Sequence, residues 1–188
     1  MEHVIRAVRA DEWAKVKDIR LASLRDPVAH LAFLETYDTA AARPDSFWQE
    51  RAARAAEGVA VRQFVAEAPA GRWDGTVTVL VERPGEDSVF GEPTTMDQTH
   101  VVAVFVRPEA RGAGLADELF RMALEWSWEL AGPPVRRVRL YVHEKNERAD
   151  AFYRKFGFLA TGRRVDEPGQ PGVQDLEYEV RRPASRSA

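Results

Sequence analysis

The segment Val101-Val-Ala-Val-Phe-Val-Arg-Pro-Glu-Ala-Arg-Gly-Ala-Gly-Leu-Ala116 constrains this chain more than any other. An apolar, β-branched run stops at Pro108, which has no amide to donate to a ladder. Gly112 and Gly114 follow and open a run in which Leu115, Leu119, Met122, Trp126 and Leu130 recur at helical spacing. A strand, a glycine turn and a long amphipathic helix in that order need a sheet to pack on. The amides of the first helical turn are donors at the positive end of a dipole, and glycines let an anion approach them without a Cβ in the way. Arg111 adds a positive charge. This is the chemistry of a pyrophosphate site. A nucleotide-hydrolase loop would need Gly-Lys-Ser/Thr, which is absent. A dinucleotide fold would need a third glycine where Asp117 stands, and an acid at the end of the next strand, where Tyr141, Val142 and His143 stand. A strand–helix turn that holds no ligand fits the same glycines.

Around this segment the chain reads as one domain over residues 1–180, followed by a polar, disordered tail over 181–188. His3 to Val8 and Ala60 to Ala68 read as strands, and Thr76 to Val81 completes a hairpin. Asp11 reads as the cap of a first helix carrying Trp13, Val16, Ile19, Leu21 and Leu24. Phe47 to Glu57 reads as a second helix ended by Gly58. Glu82 to Gln98 is a long polar loop with five acidic residues, of the kind that is mobile or functional. Thr99–Val106, a helix to Leu130, Val135–Val142, Glu147–Phe156, Leu159–Arg164 and Asp175–Val180 then alternate strand and helix. The order predicts an α/β fold with a mixed sheet, helices on both faces and at least one parallel pair.

Composition removes several function classes. The chain has no cysteine, so thiolate metal sites, disulfides and a cysteine nucleophile are excluded. Thirty acids against 27 bases leave a charge of −3, which disfavours nucleic acid and anionic membranes as partners. No apolar run approaches the roughly 20 residues of a membrane span, and the first residues lack the apolar stretch of a secretion signal. A cytoplasmic location is expected.

A second motif lies about 30 residues beyond the first. In Asn146-Glu-Arg-Ala-Asp-Ala-Phe-Tyr-Arg-Lys-Phe-Gly-Phe158, the residues Ala149, Phe152, Tyr153 and Phe156 fall on one helical face. Taken alone, this is also the pattern of a core-facing helix with a packed tyrosine. Together the two segments resemble the GNAT superfamily of acyl-CoA-dependent N-acyltransferases. Arg111, Gly114 and Ala116, with Val106 and Pro108 ahead of them, match that family's Arg/Gln-x-x-Gly-x-Gly/Ala motif. Asn146, Ala149, Tyr153, Gly157 and Phe158 match its Asn-x-x-Ala-x-x-x-Tyr-x-x-x-Gly-Phe pattern. The match runs from about Val101 to Gly162.

The resemblance implies a mostly antiparallel sheet with one splayed parallel pair, Thr99–Val106 and Val135–Val142. It implies acetyl-CoA or another acyl-CoA as co-substrate and no metal. The pantetheine arm would pair with Phe105 and Val106, and the pyrophosphate would lie on Arg111, Gly112, Ala113, Gly114, Leu115 and Ala116. Asn146, Ala149 and Phe152 would stand beside the cofactor, and Tyr153 near the thioester sulfur as general acid. His100 stands where the family often carries a basic carboxylate, and an imidazole there can take the proton of the amine. Acceptor contacts are expected from Phe33, Glu35 and Tyr37 and from Val165 to Gln174, with Asp166 and Glu167. These acids and aromatics suit a cationic amine. The implied activity is acetyl transfer to a primary amine of a small molecule by direct attack in a ternary complex. Transfer to a protein or peptide, or a catalytically silent acyl-CoA-binding module, are the alternatives. The resemblance also implies a homodimer, since many members of the superfamily are dimers.

Overall fold

The computed structural model describes residues 3–166 and 172–183. The strands are β1 (Val4–Ala7), β2 (Val61–Glu67), β3 (Trp73–Glu82), β4 (Gln98–Val106), β5 (Arg137–His143), β6 (Leu159–Asp166) and β7 (Gln174–Arg181). The α-helices are α1 (Trp13–Leu24), α2 (Tyr37–Ala41), α3 (Asp45–Glu57), α4 (Leu115–Glu129) and α5 (Glu147–Lys155). The strand order is β1-β2-β3-β4-β5-β7-β6. The chain forms two compact units, Met1–Leu80 with Val101–Glu125, and Val81–His100 with Trp126–Ala188.

In the first unit, β1 and β2 pair antiparallel from Val4↔Glu67 to Ala7↔Phe64, and β2 pairs antiparallel with β3 from Val61↔Leu80 to Glu67↔Trp73. Trp48, Ala52 and Ala55 form the buried stripe of α3, whose end is set by Gly58 at φ 68°. Val16, Ile19, Ser23 and Leu24 are the buried residues of α1. These helices join Val65, Trp73 and Phe105 in one apolar core. Asp11 does not cap α1: it lies in a 3₁₀ turn over Ala10–Glu12 that leads into the helix. Glu12 does the tying instead, accepting from the Arg9 amide at 2.9 Å and from Arg6 Nη2 at 2.6 Å. Between α1 and α3 lies the short α2, capped by Thr36, whose hydroxyl accepts from the Thr39 amide. Gly75 lets β3 run close to its neighbour. A Cβ there would meet Leu119 Cδ1 at 2.9 Å and the Phe105 carbonyl at 3.4 Å.

The predicted stripe on α4 is half right. Leu115 and Leu119 are buried, but Phe120, Ala123 and Ser127 complete the buried face, while Met122, Trp126 and Leu130 are only partly covered. The observed stripe repeats mostly every four residues, and it slants away from the three-and-four spacing read from the sequence.

In the second unit, β4 and β5 form a parallel ladder, Gln98↔Arg137, Thr99↔Val138 and His100↔Arg139. β5 pairs antiparallel with β7 over seven residues, and β7 pairs antiparallel with β6 across an irregularity between Ala160 and Arg164. Val138, Leu140 and Val142 on one face of β5 are buried, as are Phe158 and Tyr178 of the same unit. The opposite face carries Arg137, Arg139 and His143, and these are buried too. Glu82 and Gln98, read as the two ends of the long loop, are strand residues with exposures of 6% and 0%.

Candidate active site

A strand face that alternates arginine with aliphatic residues ordinarily meets water. Here that face of β5 lies under the 83–97 loop of the same unit, and its charges must find partners inside the protein. Arg139 is fully buried. Its Nη2 donates to Glu82 Oε1 at 2.9 Å and to Ser88 Oγ at 2.7 Å, and its Nη1 donates to Glu177 Oε2 at 3.3 Å. Arg137 donates through Nε to Gln98 Oε1 at 2.6 Å, and its Nη1 lies 3.2 Å from Glu177 Oε1 and 2.7 Å from Glu179 Oε2. Tyr141 donates its hydroxyl to Glu177 Oε2 at 3.0 Å. Its phenol is pushed up to about 12, chiefly by burial.

His100 belongs to this network. It is 2% exposed, and its Nδ1 lies 3.0 Å from Glu82 Oε1. Gln98 Nε2 donates to the other oxygen, Oε2, at 2.5 Å. Burial alone would raise the Glu82 carboxyl, but His100, Arg139 and Gln98 hold it at about 2, so it is ionised at neutral pH. An ionised carboxylate only accepts, so Nδ1 carries the proton and Nε2 keeps its lone pair. Among the described residues Nε2 has no hydrogen-bond partner. Burial lowers the imidazole below its ordinary value, against the raising effect of Glu82. The ring is therefore a neutral base at pH 7, oriented by a carboxylate. Its edge faces Tyr141, with ring centres 5.4 Å apart. Sequence reading singled out His100 and missed Glu82, because a glutamate at the edge of a polar loop gives no sign of burial.

The same unit carries α5. Asn146 caps that helix, its side chain accepting from the Ala149 amide at 3.2 Å. Tyr153 is buried at 9% exposure, and burial raises its phenol above the ordinary value, so it stays protonated. Its ring centre is 5.5 Å from that of Phe152 and 6.2 Å from that of Phe158. Asp166 ends β6, exposed, and accepts from Gln174 Nε2 at 3.0 Å. Glu167 lies outside the described residues.

The first unit carries the glycine turn. Gly112 and Gly114 have φ values of 85° and 80°, a conformation that strains any side-chain-bearing residue. A Cβ at either position would meet nothing within 4 Å, so the turn opens onto free space. Ala113 is exposed with them, and Leu115 is buried as the first residue of α4. An exposed backbone of this shape, feeding a 15-residue helix, fits a pyrophosphate. Arg111 does not supply the free charge expected of it. It is ion-paired to the buried carboxylate of Asp26, and its Nε donates to the Val106 carbonyl at 3.0 Å. Its role is to brace the turn on the strand.

Phe33, Glu35 and Tyr37 also lie in the first unit, and their chemistry differs from expectation. Glu35 Oε2 accepts from Arg20 at 3.0 Å and Oε1 from Arg43 at 3.0 Å. Arg20 lies 4.6 Å from the Phe33 ring centre, and Arg25 lies 4.3 Å from that of Tyr37. The acid and the aromatic faces expected to receive a cationic amine already hold the chain's own arginines. The sequence signal was available: Arg20, Arg25 and Arg43 flank this stretch.

The model of the acetyltransferase (GNAT) family matches residues 13–158. The chain belongs to this family. Peptidyl-lysine N-acetyltransferase YjaB of Escherichia coli is 35% identical over 112 residues, which are 59% of this chain and 64% of that protein. Its Salmonella typhimurium counterpart is 37% identical over 73 residues, 38% of this chain and 45% of that one. The chain thus spans less than two thirds of the length of these curated relatives. Among solved structures, a GNAT-family acetyltransferase from Streptococcus pneumoniae superposes with a TM-score of 0.72 at 16% identity, covering 96% of this chain and 99% of that one. The PaiA N-acetyltransferase of Thermoplasma acidophilum in complex with coenzyme A gives 0.66 at 15% identity, covering 96% and 100%. At these identities the likeness is one of fold. GNAT membership accounts for the glycine turn and the Asn146–Phe158 motif together, which neither did alone.

Proposed function

We propose that this GNAT chain transfers the acetyl group of acetyl-CoA to the primary amine of a small molecule, by direct attack. The observation that carries the reading is the open, left-handed Gly112–Gly114 turn at the head of α4, a backbone cradle with no side chain in it. Gly112 to Ala116 would hold the pyrophosphate, and Phe105 and Val106 would pair with the pantetheine arm. The thioester supplies an activated acyl group.

The chain's own residues supply the proton transfers. His100 Nε2 takes a proton from the attacking ammonium, because Glu82 holds the proton on Nδ1 and burial keeps the ring neutral. As the C–N bond forms and the C–S bond breaks, Tyr153 donates its hydroxyl proton to the departing sulfur, and its phenolate is reprotonated by the second proton that the acylated nitrogen sheds. The phenol is protonated throughout the neutral range, so it is always in the donating form. Residues 1–180 act as one transferase domain in this reading. A second reading, transfer to a lysine of a protein, has support in the name of the Escherichia coli relative, a peptidyl-lysine N-acetyltransferase.

A thiol-release assay with acetyl-CoA over a panel of small amines and lysine peptides tests both. Small amines turned over with kcat/KM at least ~10-fold above any peptide support the first reading. Turnover confined to peptides would replace it with the second. No thiol release at all would leave acetyl-CoA binding without transfer and remove both.

A further inference from the structure

The first unit contains a small pocket between α1, α3 and the strands β2 to β4, with room for about one water-sized group and an opening to solvent. Arg20, Arg51, Gln63, Thr76, Thr78 and Ala103 line it. Most of its polar atoms are accounted for. Gln63 Nε2 donates to Thr76 Oγ1 at 2.9 Å, and Thr76 Oγ1 donates to the Phe64 carbonyl at 3.0 Å. Arg20 is paired with Glu35.

Two groups are not. Thr78 is 5% exposed, and its Oγ1 is buried without a hydrogen-bond partner. Arg51 projects from α3 into the pocket, and among the described residues its guanidinium makes no hydrogen bond or ion pair. Its surroundings are cationic. Burial, and after it the charge of Arg20, loosen its proton, and Arg43 acts in the same sense. The carboxylate of Glu35, which attracts it, is already shared by Arg20 and Arg43. Three guanidiniums therefore face one acid, and one of them is unpartnered.

A partly buried cation with no counterion beside a buried, unsatisfied hydroxyl is unfavourable unless a ligand completes it. A planar fork of N–H donors next to a hydroxyl matches a carboxylate. Ala103, at φ 53°, holds a non-glycine residue in the left-handed region on the pocket wall, two positions before Phe105. Backbone strain of this kind needs a reason, and shaping a pocket wall beside the acyl-donor strand is one.

We propose that this pocket binds the carboxylate of the acceptor, so that the substrate is a small amine carrying an acid group, with Arg51 and Thr78 as its specificity determinants. The proposal rests on the reading above that the acyl donor lies along Phe105 and Val106. It reverses the expectation of a purely cationic acceptor.

The test separates the two readings. Binding to the full chain is measured by calorimetry for the N-acetyl derivatives of glycine, β-alanine and γ-aminobutyrate, each against the neutral N-alkylacetamide of the same length. At least one acid should bind about tenfold or more tightly than its neutral twin. Arg51→Gln should abolish that preference, Arg51→Lys should keep part of it, and Thr78→Val should weaken acid binding by about threefold. The melting temperature of Arg51→Gln should equal or exceed that of the parent, because an unpartnered buried cation has been removed. Equal affinity for acids and twins in the parent protein overturns the proposal. So does tighter binding of aminoethyl phosphate than of any of the three acids, or a drop in melting temperature of Arg51→Gln with acid preference retained. If acids bind as stated and no amine releases thiol, the transferase reading fails and the pocket stands. If neutral amines are acetylated with no acid preference, the reverse holds.

Discussion

His100 and Glu82 share a hydrogen bond of 3.0 Å between Nδ1 and Oε1, although 18 residues separate them in the chain. The carboxylate fixes the proton on one ring nitrogen and leaves the other as base. His100→Gln should therefore lower kcat by ~10² with acetyl-CoA affinity unchanged within a few-fold. Glu82→Gln should lower kcat by ~10 and shift the acidic limb of the kcat/KM–pH profile, because a neutral amide no longer dictates the tautomer. It should also cost about 3 kcal/mol of stability, since Arg139 loses a buried partner. Steady-state pH profiles and urea melts read these effects. A pH profile unaltered by Glu82→Gln would leave the pair a structural contact.

Tyr153→Phe keeps the ring and removes only the hydroxyl. Loss of a general acid predicts a fall of ~10² in kcat with little change in acetyl-CoA affinity and a melting temperature close to the parent's. If the hydroxyl is a structural donor, stability falls by roughly 1 kcal/mol and turnover persists. Stopped-flow thiol release and calorimetry on one preparation tell the two apart.

Gly114→Val places a branched side chain at φ 80°. The strain should cost about 1–2 kcal/mol, while acetyl-CoA affinity should drop by more than tenfold, about 1.4 kcal/mol beyond any folding effect. The Cβ would enter open space, so the loss of affinity would come from the occupied cradle and not from a clash within the protein. Proportional losses in both quantities would mark the glycine as structural.

Acid should unfold the protein in two stages. His100 has a folded value depressed below 6.5, so the unfolded chain takes up its proton first, and stability falls as the pH drops below about 6.5. Glu82 is depressed from 4.5 to about 2. Its contribution, on the order of 3 kcal/mol, is complete above 4.5 and disappears as the pH falls from there toward 2. Urea midpoints measured from pH 8 to 2.5 should show both segments. His100→Gln should flatten the upper one, and Glu82→Gln should flatten the lower one.

Periodicity and punctuation made most of the elements legible. Pro108, Gly112, Gly114, Gly58 and the Asn146 cap act locally, so they mark their elements without knowledge of the rest of the chain. The parts that stayed hidden depend on covering. Arg137, Arg139, Glu177 and Glu179 alternate with aliphatic or aromatic residues as a solvated strand face would, and nothing local says that Arg139 and Glu177 are sealed from water. Glu82 was invisible for the same reason. The counterion of Arg111 was equally out of reach, since Asp26 lies 85 residues from it.

The grip of Arg139 on the 83–97 loop has an evolutionary consequence. Its Nη1 donates to the Glu92 carbonyl at 3.1 Å and its Nη2 to the Phe90 carbonyl at 3.4 Å, so apart from the Ser88 hydroxyl it holds backbone and not side chains. The loop's path is then indifferent to most of its own residues. Lineages can rewrite Glu86, Asp87 and Val89 freely, changing the charge they show to a passing molecule while the buried base stays covered. Ser88, which donates to Glu82 and accepts from Arg139, is one exception, and Gly91 is another: any side chain there would run into the Tyr141 hydroxyl. A saturation library over this loop would therefore drift at Glu86, Asp87 and Val89 and stall at Gly85, Ser88 and Gly91.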